Sequence, residues 1–211
     1  MYISWLGHST FKIETKTHLK EEVLILINPY NFPKSDLPRN LKSDIVLLTN
    51  GAENTITLSG DPFIISTPGE YELQGVMIYA IPLPKDLENE KPQIVFHFET
   101  EHMSITYLGD FKAKLNTETI EKLGIVDIAM IPCGNRTVLT AEEANAIVND
   151  IEPRVVIPHS FNPPDKNYPY EPVDKFAKLL GVKEKEWLPK FKVVKKDLPQ
   201  DETKVIFLNK S

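Results

Sequence analysis

Short runs of apolar and β-branched residues, separated by Gly, Pro, Asn and Asp, dominate the first hundred residues. Phe11 and Ile13 alternate with Lys12 and Glu14, the pattern of a strand with one buried face. Such runs predict the strands Tyr2–Leu6, Thr10–Glu14, Val23–Ile27, Ile45–Thr49, Pro62–Ser66, Val76–Ile81 and Ile94–Phe98. The third run is apolar throughout, so we expect it to be buried on both faces.

Beyond residue 104 the pattern changes to strands that alternate with helices. Thr140-Ala141-Glu142-Glu143 is a capping box, and glycines follow two other helical runs, as is typical just beyond a helix. The predicted elements are strand Ser104–Leu108, helix Thr117–Leu123, strand Ile128–Pro132, a helix from Ala141 to about Asp150, strand Val155–Pro158, helix Pro172–Leu180 and strand Lys204–Leu208. This order predicts a layered α/β architecture with two sheets, and the absence of a linker-like stretch predicts a single domain over residues 1–211.

Composition narrows the class of protein. Hydrophobic residues make up 41% of the 211, which is enough for a core. The 24 basic and 30 acidic residues give a net charge of −6, which argues against a general nucleic-acid binder. No apolar run approaches the roughly 18 residues of a membrane span, and the first ten residues lack the features of a secretory signal. The single cysteine, Cys133, cannot form an internal disulfide, so we expect a cytoplasmic protein.

Several segments, in order, resemble one family. They are Trp5–Phe11 (WLGHSTF), Ile25–Tyr30 (ILINPY), Ser43–Thr49, Pro68–Glu72 (PGEYE) with Gly75-Val76, Asp127–Gly134 and Ala141–Phe161. Together they are similar to the Zn-dependent hydrolases of the metallo-β-lactamase fold, in the branch of simple single-domain bacterial and archaeal members. The resemblance covers about residues 2 to 161. It implies an αββα four-layer sandwich, in which two mixed sheets have helices outside and the metal site lies at one edge between them.

The metal motif of that family is missing from this chain. In the family, the strand that matches Ser43–Thr49 is followed by His-x-His-x-Asp-His, whose side chains bind two metal ions and generate a hydroxide nucleophile. Here those four positions hold Asn50, Ala52, Asn54 and Thr55. Alanine cannot coordinate a metal, and neutral Asn and Thr oxygens bind Zn²⁺ weakly.

The other ligand positions are also depleted. Asp110 matches the carboxylate that bridges the two metals in the family. The histidine expected after Val76–Ile81 is absent. The last ligand position falls on Ser160, and His159 lies one residue early, where an extended chain would direct its side chain to the opposite face.

The aspartate of the family's Asp-Pro pair is replaced by Asn28. A catalytic zinc needs about three protein ligands, whereas the matching positions supply only Asp110. We therefore expect a degenerate member with no metal cofactor, in which Asp110 and His159 are vestiges of the site. Such a protein would bind a small molecule in the old cleft or a protein partner. A loop hydrogen-bonding role for Asp110 is the plainer alternative.

Two catalytic alternatives stay open. The first is a hydrolase with one zinc or manganese ion, which requires His8, Asp110 and His159 to converge within about 5 Å of one point. The second is a metal-independent hydrolase or redox sensor, with Cys133 as the nucleophile and His159 or His8 as its base. The plainer alternatives are that His8 bonds a neighbouring strand and that Cys133 is a small buried residue.

The remaining features give structural expectations. Glu70, Tyr71 and Glu72 are expected to support a turn and a strand. The region from about Lys183 is expected to cover an open sheet edge or to form a dimer contact. Three further histidines are expected at exposed positions: His18, His97 and His102.

Overall fold

The structure, a computed structural model, describes residues 1–17, 21–32, 37–38, 40–84, 93–112 and 115–211. Its strands are β1 Tyr2–Gly7, β2 Thr10–Lys16, β3 Glu22–Ile27, β4 Ile45–Leu47, β5 Phe63–Ile65, β6 Gly69–Leu73, β7 Val76–Pro82, β8 Ile94–Thr100, β9 Met103–Tyr107, β10 Ile128–Pro132, β11 Val155–His159, β12 Trp187–Leu188, β13 Phe191–Lys192, β14 Lys204–Val205 and β15 Phe207–Leu208. Its helices are α1 Thr117–Leu123, α2 Ala141–Ile151 and α3 Asp174–Leu179, with a short 3₁₀ helix at Lys195–Asp197.

Two mixed sheets form the sandwich, as predicted. The six-stranded sheet has the order β13-β1-β2-β3-β4-β5, and the seven-stranded sheet has the order β14-β11-β10-β9-β8-β7-β6. β3, β4 and β5 are parallel to one another, as are β9, β10, β11 and β14. The carboxyl ends of parallel strands meet at one edge of a sheet, where functional side chains commonly gather.

The core follows the alternation of the sequence. Alternate residues of the six-stranded sheet belong to a large core cluster shared with the other sheet: Ile3, Trp5, Phe11, Ile13, Ile25, Ile27, Ile45 and Leu47. Residues of opposite parity form a second cluster with Tyr30 and nearby loop residues: Leu6, Leu26, Val46 and Leu48. Both faces of this sheet are therefore covered, which explains the continuous apolar run of β3.

The helices in the described residues pack beside the seven-stranded sheet. α2 contacts β10, and both α1 and α3 contact α2. The Thr140 capping box is present, with Thr140 Oγ1 accepting from the Glu143 backbone and Glu143 accepting from the Thr140 backbone. No described helix is long and apolar enough to cross a membrane.

Several expectations need correction. The strand predicted over Lys204–Leu208 is split, because β14 joins the seven-stranded sheet and β15 pairs with β12. His97 is only 5% exposed, since it lies within β8 with its Nδ1 atom 2.9 Å from Thr106 Oγ1. His102 is exposed as expected, and His18 lies outside the described residues. In the C-terminal region, β13 covers the β1 edge of the six-stranded sheet.

Candidate functional site

The candidate site lies where strands of both sheets end. Thr49 follows β4, Asp110 follows β9 and Ser160 follows β11. Glycines allow these ends to approach closely. A Cβ atom on Gly109 would lie 2.5 Å from Thr49 Oγ1, and one on Gly134 would lie 1.9 Å from the Ser160 carbonyl oxygen. Any side chain at either glycine would force the strand ends apart.

Asp110 is the carboxylate at the centre of the site, and it is half-buried. Ser9 Oγ lies 2.5 Å from Asp110 Oδ2, and Ser160 Oγ lies 2.5 Å from Asp110 Oδ1. Both serines are fully buried, so each hydroxyl is directed into the site. Both carboxylate oxygens are therefore engaged by hydroxyl groups of this chain.

The pKa of Asp110 is raised. Burial among protein atoms is the main cause, because it disfavours the ionised form, and hydrogen bonds from Ser160 and Ser9 act in the opposite direction. Ionisation of this carboxyl is therefore less favourable than in water.

The hydrogen bonds of the neighbouring residues also favour the protonated form of Asp110. His159 Nε2 lies 2.9 Å from the Leu108 carbonyl oxygen, an acceptor only, so Nε2 must carry a proton. Burial lowers the pKa of His159 to about 3, so the ring is neutral and its Nδ1 atom is an acceptor. That atom lies 2.9 Å from Ser160 Oγ, whose single proton cannot serve both His159 and Asp110. A neutral His159 thus favours a protonated Asp110.

Asn28 suits its position better than the aspartate of the family would. Its Nδ2 atom donates to Thr49 Oγ1 at 2.8 Å and to the Tyr107 hydroxyl at 3.0 Å, while Oδ1 accepts from the Thr49 backbone at 2.9 Å. Tyr107 already donates its own proton to the Ser9 carbonyl oxygen at 2.6 Å, so it needs a donor from Asn28. A carboxylate could not supply that donor.

His8 lies beside the site within a group of aromatic rings. The imidazole is 2% exposed and stacks on Tyr168 and Phe32, with ring centroids 3.9 Å and 4.6 Å away. Its carbonyl oxygen accepts from Trp5 Nε1 and from the Ser160 backbone. His8 therefore joins β1 to the end of β11, and its ring is held by packing.

Cys133 does not form the predicted nucleophile pair. The thiol is 2% exposed. Its described hydrogen-bond acceptor is the carbonyl oxygen of His159, 3.8 Å from Sγ, and that atom belongs to the backbone and not to the imidazole. Burial raises the pKa of Cys133, which suppresses the thiolate that a nucleophile requires. The plainer expectation of a small buried residue fits this geometry.

The loop that replaces the metal motif forms a turn. The Tyr30 hydroxyl donates to the Gly51 carbonyl oxygen at 3.0 Å and accepts from the Asn50 backbone at 2.9 Å. Thr55 Oγ1 donates to the Ala52 carbonyl oxygen at 2.8 Å. Burial raises the pKa of Tyr30 to about 12, and the nearby Asp110 adds to that rise. This loop presents hydroxyl and amide groups in place of the imidazoles and carboxylate of the family.

These donors do not fit the dinuclear zinc centre that the fold family implies. Within the described ranges, no three His, Cys, Asp or Glu side chains come together in a way that could hold a metal ion. Asp110 is engaged by two serines, and the ring nitrogens of His159 face Ser160 and a carbonyl oxygen. His8, Asp110 and His159 are neighbours in the fold, but they do not form a ligand set.

Sequence reasoning missed the hydroxyls that surround Asp110. Ser9 lies 101 residues from Asp110 along the chain, so no local spacing links them. Ser160 occupies the position that matches the last metal ligand of the family, and its hydroxyl reaches Asp110. No sequence motif links Tyr170 to the site; burial is the main cause of its raised pKa, and Asp110 adds to the rise.

Comparisons with known proteins agree with this fold. The sequence profile described as a beta-lactamase superfamily domain matches residues 2–160. A UPF0173 protein of Pyrococcus abyssi is 30% identical over 185 residues, covering 75% of this chain and 82% of the relative. A UPF0173 metal-dependent hydrolase of Bacillus mycoides is 26% identical over 223 residues, covering 86% of this chain and 95% of the relative.

Among solved structures, one Thermotoga maritima protein, assigned to the Zn-dependent hydrolases of the metallo-β-lactamase superfamily, superposes with a TM-score of 0.80. It is 24% identical, and the match covers 99% of each chain, so it supports the fold alone. The two sheets, the position of Asp110 and the profile match over residues 2–160 lead to one conclusion: this chain belongs to the beta-lactamase superfamily, among the UPF0173 relatives.

Proposed function

We propose that this protein acts by binding, at the site around Asp110, without a dinuclear metal centre. One observation carries the proposal: Ser9 and Ser160 hydroxyls lie 2.5 Å from the two oxygens of the carboxylate that would bridge the metals. A carboxylate ligated to two metal ions would have those oxygens on the metals. In a binding role, the half-exposed carboxyl of Asp110 would form hydrogen bonds with the ligand.

The surroundings of Asp110 indicate what the site offers to a ligand. Burial is the main cause of the raised pKa of Tyr30 and of Tyr170, and the nearby carboxyl of Asp110 adds to both. Neutral hydroxyl groups both donate and accept hydrogen bonds. These features support a small uncharged polar ligand, whereas a protein partner that inserts a polar side chain is the other form of the proposal.

A ligand screen tests the binding role. Thermal unfolding of the wild-type protein is compared with that of Asp110→Ala across a library of polar small molecules. We expect compounds that raise the midpoint of the wild type and not that of the variant, because binding to the native state stabilises it. A complete screen without any Asp110-dependent compound would count against the small-molecule form.

A metal-dependent hydrolase is the second candidate, and the names of the relatives favour it. Its test is turnover of ester, lactam and phosphodiester substrates with added Zn²⁺ or Mn²⁺. Asp110→Ala serves as the control for contaminating enzyme. Turnover that requires both the metal and Asp110 would replace the binding role with catalysis.

A further inference from the structure

The loop that replaces the metal motif contains the only Asn-Gly pair of the sequence, Asn50-Gly51. In such a pair the backbone nitrogen of glycine attacks the side-chain amide carbon of asparagine, because glycine has no side chain to obstruct the approach. The glycine N–H proton and the amide nitrogen leave together as ammonia, and a cyclic succinimide forms. Water then opens the ring to aspartate or isoaspartate. The change gains one water and loses one ammonia, so it needs no oxidant, reductant or cofactor.

The two reacting groups of this pair are not held by hydrogen bonds. Within the part of the chain that the structure describes, neither the Asn50 side-chain amide nor the Gly51 N–H takes part in one. Gly51 has a φ angle of 78°, and a Cβ atom built on it would have no neighbouring heavy atom within 4 Å. Both residues are half-buried, so water reaches them. The fold therefore leaves the reaction open.

Asn54 provides a contrast within the same loop. It is more exposed than Asn50, but it is followed by Thr55, whose branched side chain obstructs the backbone nitrogen. The Thr55 N–H also donates to the Ala52 carbonyl oxygen at 3.4 Å. Exposure alone would make Asn54 the more reactive residue, whereas the following residue and its hydrogen bond favour reaction at Asn50.

We propose that Asn50-Gly51 is a site of spontaneous deamidation, at which this protein converts a neutral amide into a carboxyl group beside its candidate site. The modification does not depend on the binding role proposed for Asp110. It introduces a negative charge into the loop, and such a charge acts on its neighbours as any other does.

Tyr30 links the modified pair to the site and distinguishes the two products. Its hydroxyl accepts from the Asn50 backbone at 2.9 Å and donates to the Gly51 carbonyl oxygen at 3.0 Å. Aspartate leaves the main chain unchanged, so both bonds persist. In isoaspartate the main chain runs through the side-chain carbon and becomes longer between these two groups. The Tyr30 hydroxyl then loses at least one bond, and the isoaspartate form is the less stable of the two.

The test is peptide mass spectrometry of the protein incubated at mildly alkaline pH, folded in one sample and unfolded in urea in the other. Protein isoaspartyl methyltransferase with a labelled methyl donor reports isoaspartate. We expect Asn50 to convert in the folded protein within about tenfold of its rate in the unfolded chain, because no local unfolding is needed to release the reacting groups. Asn54 should stay intact over the same period. Gly51→Ala places a methyl group beside the nitrogen and should slow conversion about tenfold even in urea.

Three results would overturn the proposal or its consequence. The first is a folded protein that converts Asn50 more than about tenfold more slowly than the unfolded chain, since the fold would then protect the pair. The second is conversion of Asn54 as fast as that of Asn50, which would make exposure the determinant. The third concerns Tyr30: an isoaspartate form, separated by ion exchange, that unfolds at the same temperature as Asn50→Asp would contradict the loss of its hydrogen bond.

Discussion

Two carboxylates at opposite ends of the seven-stranded sheet have contrasting surroundings. Asp127 precedes β10 and is 2% exposed; Lys195 Nζ lies 2.7 Å from it and Arg154 Nε lies 3.6 Å from it. The Ser104 backbone also donates to Asp127 at 2.9 Å. Asp110 follows β9 at the other end, and the described hydrogen-bond partners of its carboxyl oxygens are the hydroxyls of two serines.

This difference indicates that Asp127 has a structural role, whereas Asp110 is a candidate functional residue. Cations near Asp127 offset the cost of burying a charge, and they join the 3₁₀ helix and the start of β11 to β10. Asp110 has hydroxyl partners in place of cations, so burial raises its pKa. A carboxyl with a perturbed pKa in a partly open position is typical of functional sites.

Breaking the ion pairs of Asp127 should have the largest effect. Asp127→Asn keeps the size of the side chain but leaves Lys195 and Arg154 without their counter-charge. We expect a loss of about 3 kcal/mol in the free energy of unfolding, measured with urea. Asp165→Asn, an exposed residue whose only ion pair is with Lys166 at 3.8 Å among the described pairs, should lose less than about 0.5 kcal/mol. Equal losses for the two variants would contradict the structural role of Asp127.

Removing one hydroxyl from Asp110 should have an intermediate effect. Ser160→Ala leaves His159 Nδ1 and Asp110 Oδ1 without a shared partner, so we expect a loss of about 1.5 kcal/mol in the free energy of unfolding. Ser43→Ala, at a half-buried position before the opposite end of β4, is the control. A loss no larger than that of the control would show that the 2.5 Å contact contributes nothing.

The pH dependence of Asp110 should be the smallest and most diagnostic effect. Its folded pKa is raised above the unfolded value of about 3.9, so the folded state binds more protons and stability falls as pH rises through that window. Asp110→Asn lacks this group. The stability of the wild type minus that of Asp110→Asn should therefore decrease from about pH 4 towards pH 7 in denaturant titrations. An increase over the same range would mean that the folded carboxylate is stabilised.

Much of the fold was predictable because its signals are local. The strands Ile128–Pro132 and Val155–Pro158 and the helix after Thr140 each carry their own pattern of apolar residues and caps. The sequence predicts only a turn and strand residues at β6, because Glu70 and Glu72 give it little apolar character. The split between β14 and β15 depends on which sheet each half joins, which a run of five residues does not encode.

The site was predictable only in part. Gly109-Asp110 and the replaced metal motif could be read from the chain, because each lies at the end of a recognisable strand. The pairing of Asp110 with Ser9 and Ser160 depends on contacts across 101 and 50 residues. The burial of His97 likewise depends on its neighbours in three dimensions. Such contacts arise from the packing of distant segments, and the pattern of apolar residues along the chain does not predict them.

Metal content tests the central claim most directly, namely that hydroxyls rather than metal ions engage Asp110. The tag-free protein is measured by mass spectrometry before and after incubation with Zn²⁺ and Mn²⁺, followed by removal of unbound metal. We expect less than about a tenth of an equivalent of either metal, for the wild type and Asp110→Ala alike. One tightly held equivalent in the wild type that Asp110→Ala removes would contradict it.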